Sequence, residues 1–468
     1  MENSKNSKGD RPAPSDRRCF RFFTSAALDA VLRGGELCLA PDTDLYVAYS
    51  GGMDSHVLLH ALADLRRRAP WRVTALHVDH GLQADSAKWA RHCAAVCAAL
   101  DVPYRSERVV VSESEHRGME DAARRARYAA LRRMLPSDAV LLTAHHRDDQ
   151  AETLLLQLLR GAGAAGLAAM PAIAPFGRGR RARPLLNFER AALANYAKEQ
   201  DLQWIDDATN FDVGPARNFL RHRILPLLDA RWPAATERLA VSAKHMAEAD
   251  RLLAELGQMD LAAAADADGR LRISSLLALS LQRQSNLLRY WIRLRTGAPP
   301  PESRLRELLA RVARTPRSKQ ATVCWADVVV QRYRDCLAVF PAPPPIADDW
   351  EVAWNPATQL DIPGNGWRLL ARAEIGAGIA RDRVVGRRIL VRLRRGGERA
   401  RLRGHRHKVK KLLQEAGIPP WERRRWPLVY VDDELAAIGD RWVCEPYAAE
   451  PDEVGWVLRI SRGDLARE

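Results

Sequence analysis

The chain has 468 residues, 47% of them hydrophobic, and only seven cysteines. That is ample apolar material for packed cores and more length than one ordinary domain uses, while scattered cysteines in odd number exclude a disulfide framework and suit a reducing compartment. A formal net charge of +15 calls for a polyanionic partner.

In chain order, residues 1–20 read as a disordered polar leader without the apolar stretch of a signal peptide. No apolar run reaches the roughly 18 residues that span a bilayer, so the expected location is cytoplasmic, with no membrane partner. Strands are expected at 45–49, 72–80, 102–111 and 139–146. Between and after them lie expected helices at 54–68, at 84–100 with Asp85 or Ser86 as N-cap, at 118–135, and at 148–161, closed by Gly161. Strands alternating with helices predict a doubly wound, mostly parallel α/β sheet whose ligand sits beyond the strands' carboxyl ends. Residues 21–232 would form this domain. Residues 233–340 read as mainly helical with a hairpin over 321–340, residues 341–349 as a proline-rich linker, and residues 350–468 as a small basic α+β domain. In that last domain, residues 387–411 carry twelve Lys/Arg against one Glu. Such a run is either a solvated face or a contact for nucleic-acid phosphates.

The chemistry-bearing segments follow the strands. Ser50-Gly51-Gly52-Met53-Asp54-Ser55 turns a strand into a helix. Unpaired amides at a helix start attract anions, glycines let the backbone approach phosphate, and Asp54 can hold a Mg²⁺ ion. The bland alternative is a capped glycine turn. His77-Val78-Asp79-His80 follows the second strand and is by itself a weak signal. Thr143 to Thr153, TAHHRDDQAET, is the densest polar cluster. His145 can hydrogen-bond a phosphate or move a proton, and Asp149 and Glu152, three apart, share a helix face suited to Mg²⁺ or an amine. A capping box is the structural alternative. Cys93 and Cys97 lie one helical turn apart, with no CxxC anywhere, and read as buried thiols.

SGGMDS resembles the signature of the PP-loop ATPases, which imply adenylation of an oxygen and displacement of AMP by a nucleophile. HHRDDQAET with the following LLRGAGAAGLAAM, RPLL at 183–186, Asp207-x-x-Asn210, and Arg217-Asn218-x-x-Arg221 are together similar to the tRNA(Ile)-lysidine synthetases. So is the segment 396–440. The matching stretches cover most of 45–225 and 390–445. The leader and the 341–349 segment are not features of that family. The resemblance implies ATP and Mg²⁺, free L-lysine, and an isoleucine tRNA with a CAU anticodon whose wobble cytidine is adenylated at O2 and then attacked by the lysine ε-amine. It also leaves room for a homodimer. Carried over, Ser50, Gly51, Gly52, Met53, Asp54 and Ser55 would hold pyrophosphate and Mg²⁺. His77 and Asp79 would line the adenine and ribose pocket. His145 and Asp149 would serve adenylation, Glu152 would receive the lysine amine, and Arg217 would serve the phosphates or the adenylate. The rivals are a PP-loop tRNA cytidine thiolase, disfavoured by the missing cysteine pair, and a non-catalytic RNA-binding protein.

Overall fold

The computed structural model describes residues 22–79, 81, 86–110, 119–206, 212–314, 321–342, 344–347, 349–364 and 366–462. The polar leader, His80, Asp85, Asp207 and Asn210 lie outside the described residues. The chain divides into two compact units at Leu253/Ala254.

In the first unit, helix α1 (Ser25–Arg33) is followed by β1 (Asp44–Ala48), α2 (Met53–Arg66), β2 (Arg72–Asp79), α3 (Ser86–Ala99), β3 (Tyr104–Arg108), α4 (Met119–Met134), β4 (Val140–Leu142), α5 (Arg147–Leu159), α6 (Ala164–Leu167), β5 (Ile173–Phe176), β6 (Gly179–Ala182) and α7 (Arg190–Glu199). The six strands form one sheet in the order β3-β2-β1-β4-β6-β5. All neighbours pair parallel except β5, an antiparallel edge on β6. This is the expected doubly wound sheet, and its order reverses direction between β1 and β4. Side chains alternate between two apolar layers. Leu45, Val47, Val140 and Leu142 face the core shared with α1, α2, α3 and α7. Tyr46, Leu76, Val78 and Leu141 face α4.

The fourth strand is shorter than its sequence suggests. It leaves the sheet after Leu142, because Thr143 to His146 are committed to hydrogen bonds and to starting α5. Beyond α7, α8 (Ala216–Phe219) runs through a π-helical turn (Leu220–Ile224) into α9 (Leu225–Arg231). A thirty-residue helix, α10 (Ala235–Ala264), carries the chain past the division between the units.

In the second unit, β7 (Leu271–Arg272), α11 (Ile273–Leu277), α12 (Leu281–Thr296) and α13 (Glu302–Arg314) precede β8 (Thr322–Trp325), β9 (Val328–Tyr333) and β10 (Cys336–Pro341). The expected hairpin over 321–340 is thus a three-stranded meander, joined by β7 into an antiparallel sheet. Ala326 at φ 45° makes the turn that sequence reading passed over. The remaining strands are β11 (Glu351–Ala353), β12 (Leu360–Ile362), β13 (Trp367–Ile375), β14 (Ile379–Ala380), β15 (Ile389–Leu393), β16 (Arg399–Leu402), β17 (His405–Lys408), β18 (Pro427–Val431), β19 (Glu434–Ile438), β20 (Trp442–Val443) and β21 (Val454–Arg462). With α14 (Val409–Glu415) and α15 (Pro420–Arg423) they enclose a core that includes Trp354, Trp367 and Trp426. Trp421 packs instead against Tyr333 and Phe340 of the meander. Among the described residues no helix is long and apolar enough to cross a membrane.

Candidate active site

The tips of β1 and β4 flank the point where the strand order reverses, which is where an open α/β sheet leaves a crevice. At the β1 tip, Gly51 adopts φ 86°, and its carbonyl accepts the Ile205 N–H at 3.0 Å. Gly52, at φ −73°, is the N-cap of α2 and lacks a capping side chain. The amides of the first turn of α2 therefore remain for an outside acceptor. Ser55 Oγ donates to the Gly52 carbonyl at 2.9 Å and lies 3.0 Å from Ser50 Oγ, which cross-braces the loop. Ser50 is exposed and Gly52 half-buried, so the cradle is open. Met53 is buried beneath it and contributes only its backbone.

Asp54, in the first turn of α2, links the two strand tips. One oxygen lies 3.7 Å from His146 Nε2, and the other lies 4.0 Å from Arg190 Nε and is buried without a hydrogen bond among the described residues. His146, 1% exposed, caps α5. A cation is unfavourable at a helix N-terminus, and burial alone would lower this imidazole's pKa. Asp149 at 3.5 Å, Asp148 at 3.4 Å and Asp54 outweigh both effects and raise it to about 10. Asp148 also accepts the Arg190 N–H at 3.0 Å. Burial would push its carboxyl up, yet the hydrogen bond and charge of His146 hold it down at about 2.

The capping alternative read from the sequence is also present, because Asp149 accepts the His146 N–H at 2.9 Å. The same carboxylate meets Arg217 at 3.2 Å and Arg221 at 3.0 Å. Glu152, fully buried, receives Arg217 Nε on one oxygen at 2.7 Å and Arg221 Nε on the other at 2.6 Å. In this arrangement Glu152 offers no free oxygen to an amine. The two guanidiniums come from α8 and the π-helical turn, a local form often found at functional sites.

His145 binds Thr143 Oγ1 at 3.0 Å through Nδ1. Burial pushes its pKa down to about 3, reinforced by Arg183, Arg217 and Arg127, against the pull of Asp149. It is therefore neutral at pH 7. Its folded value lies below the ordinary 6.5, so the unfolded chain takes up this proton first as pH falls. His145's own contribution to stability is thus expected to fall from about pH 6.5 towards pH 3, by at most about 2 kcal/mol at pH 5, and the raised His146 offsets part of it. Urea midpoints at pH 7 and pH 5 check this, and His145→Gln should narrow the gap between them.

Sequence reading thus placed Asp54, His145, Asp149, Glu152 and Arg217 in segments that the fold brings together. It gave no catalytic or binding role to His146, Asp148, Arg190 or Arg221, although Arg221 stands in the quoted motif. The paired histidine at a helix start was the available signal for the first, and Arg190 had none. His77, expected to line the adenine and ribose pocket, sits at the β2 end next to the β1 tip. Its ring is 6% exposed, and Nδ1 bonds the Tyr49 carbonyl at 3.0 Å, so it buttresses the β1 tip from beneath. Asp79 closes the end of β2 by accepting the Gly81 N–H at 2.9 Å.

Family models match three stretches: a PP-loop domain over residues 27–228, a TilS substrate binding domain over 271–338, and a TilS substrate C-terminal domain over 389–460. The chain is 44% identical to a tRNA(Ile)-lysidine synthase of Methylococcus capsulatus over 430 residues, covering 90% of this chain and 97% of that one. It is 39% identical to a tRNA(Ile)-lysidine synthase of Coxiella burnetii over 424 residues, covering 90% of this chain and 94% of that one. In Alkalilimnicola ehrlichii the identity is 43% over 418 residues, covering 88% and 93%. With this identity sustained along nearly the whole length, the chain belongs to the tRNA(Ile)-lysidine synthase family.

Proposed function

We propose that this chain is an ATP-dependent ligase that joins free L-lysine to C2 of the wobble cytidine (position 34) of a CAU-anticodon isoleucine tRNA. The base is first adenylated on O2, and the lysine ε-amine then displaces AMP to leave lysidine. One observation carries this reading. The α2 amides, an uncapped helix start, sit beside a cationic cluster of His146, Arg217 and Arg221 that is locked to buried carboxylates.

The roles of the residues follow from their positions. The loop from Ser50 to Ser55 holds the phosphates through backbone amides and the Ser50 hydroxyl. Asp54 fits a Mg²⁺ ion, because it keeps a buried oxygen without a hydrogen bond beside that loop, and Mg²⁺ commonly binds one or two carboxylates together with substrate phosphates. When bound, the ion neutralises phosphate charge. Positive charge on His146 and the two arginines faces the charge that spreads over the α-phosphate during adenylation. Neutral His145 can donate or accept a hydrogen bond there without adding charge. Glu152 becomes available to the lysine ammonium only when a guanidinium leaves it. Movement of Arg217 from Glu152 towards the adenylate would thus admit lysine after adenylation.

The basic run of the second unit fits the RNA partner. Several of its cations are already paired, Arg387 with Asp432, Arg392 with Glu351 and Asp433, and Arg401 with Glu445. Arg403 and Arg406 stand exposed on the β16–β17 hairpin with no ion pair among the described residues. Reversing both to Glu should weaken isoleucine tRNA binding at least tenfold at low salt and flatten its salt dependence. Filter binding reads both effects. A homodimer and a cytoplasmic location are proposed from the family resemblance alone.

Pyrophosphate release and intact tRNA mass, measured on the purified chain with ATP and an isoleucine tRNA, test the reading. Release should need the tRNA, and the tRNA should gain the mass of lysine only when lysine is added. Incorporation of sulfur, or no response to ATP with tRNA present, would sink it.

A further inference from the structure

A second concentration of positive charge lies outside the site above. Arg124 and Arg127 on α4 and Arg181 on β6 surround the Tyr128 ring, with guanidinium carbons 5.1, 5.5 and 5.2 Å from its centroid. Arg132 and Arg181 lie over Phe176 at 5.0 and 5.6 Å. Arg183, 4% exposed, follows at the end of β6. Among the described residues no carboxylate forms an ion pair with any of these five arginines.

Such an arrangement is costly. Like charges crowd one another in a half-buried setting, and aromatic faces offset only part of the repulsion. Buried donors are also left over, because Arg127 Nε, Arg181 Nε and Arg183 Nε make no hydrogen bond among the described residues, although Arg183 donates to the Pro171 carbonyl through another nitrogen. Their electrostatics agree. Burial, then Arg181 and Arg124, lowers Arg183 to about 10. Burial alone would raise the Tyr128 phenol, yet Arg124, Arg127 and Arg181 bring it below its usual value. An anion seated here would relieve the repulsion and satisfy the orphan donors.

We propose that the arginine cluster of α4 and β6 is a phosphate site that receives backbone phosphodiesters of the substrate RNA beside the reacting nucleotide. This rests on the RNA-modifying reading above. The placement favours RNA over the nucleotide. Strand alternation puts Arg181 on the α4 face of the sheet, with Phe176 and Tyr128, whereas α2 and its phosphate-facing amides belong to the opposite layer. The cluster still lies near the chemistry, since Arg127 and Arg183 are close enough to His145 to oppose its protonation. Guanidinium groups suit this task because their planar fork matches two phosphate oxygens.

The test measures binding of the isoleucine tRNA anticodon stem-loop over a range of salt, and ATP binding without RNA, for Arg124→Glu, Arg181→Ala and Arg181→Lys. Arg124 is exposed, so its reversal reads the site even if Arg181→Ala fails to fold. Arg124→Glu and Arg181→Ala should each weaken RNA binding by about tenfold and lower the salt slope by about one, with ATP binding unchanged. Arg181→Lys should recover part of the loss. Unchanged RNA affinity in Arg124→Glu overturns the proposal, and so does a loss confined to ATP, which would assign the site to the nucleotide. If the wild-type chain binds the stem-loop through these arginines but makes no lysidine, the phosphate site stands and the ligase reading falls.

Discussion

Glu152→Gln should lower lysidine formation at least a hundredfold and destabilise the first unit by about 3 kcal/mol. The carboxylate is fully buried and carries Arg217 on one oxygen and Arg221 on the other. An amide keeps the shape but removes the charge, leaving two guanidiniums with Asp149 as their remaining shared anion. Breaking a buried pair from one side is expensive because the partners left behind have already lost their water. If Glu152 only anchors the arginines, pyrophosphate release and lysine transfer should fall together. If it also receives lysine once Arg217 moves, the variant should show a further rise in the KM for lysine. Wild-type stability and turnover in Glu152→Gln would refute both roles. Urea unfolding and steady-state kinetics separate the outcomes.

The second large effect is expected at Gly51. A Cβ there would sit 2.8 Å from Ile205 Cδ1 and 2.9 Å from Cys93 Sγ, at φ 86°. Gly51→Ala thus combines left-handed strain of about 1–2 kcal/mol with overpacking of about 1–3 kcal/mol. Either the Ile205 and Cys93 side chains or the strand tip must give way, and the positive φ of 86° strains the turn that sets the first α2 amides in either case. ATP-dependent pyrophosphate release should fall by two orders of magnitude or more, with a lower melting temperature. Gly52 is the internal control. Its φ of −73° suits any residue, and a Cβ would meet only ordinary contacts, the nearest at 3.6 Å. Gly52→Ala should fold normally and lose only the close approach of phosphate, seen as a raised KM for ATP. Equal melting temperatures for the two variants would contradict the packing argument.

These two residues mark what was legible beforehand. The Gly51 loop is local: strand, glycines, serine and helix start are contiguous, and each acts through its own backbone. The sheet was legible for the same reason, since every crossover carries its own periodicity. Glu152 shows the opposite case. Its place on a helix face with Asp149 could be read, but its partners lie 65 and 69 residues away, so its engagement by two arginines could not. The excess of charge over 387–411 overstated the free charge, because Glu351, Glu445, Asp432 and Asp433 come from strands and turns distant in sequence. The cluster around Tyr128 was hidden similarly. Arg181 and Tyr128 are 53 residues apart and meet only once β6 has joined the sheet beside α4.

The π-helical turn at Leu220–Ile224 has a consequence for how this segment can evolve. Its hydrogen bonds span one residue more than those of an α-helix. Losing one residue between Arg217 and Arg221 would turn Arg221 by about 100° and shift it by roughly 1.5 Å relative to Arg217. Point substitutions on its outer side are cheap, whereas a single-codon deletion would pull Arg221 out of alignment with its neighbour. Across relatives, the interval between the two arginines should therefore be fixed in length even where its letters vary.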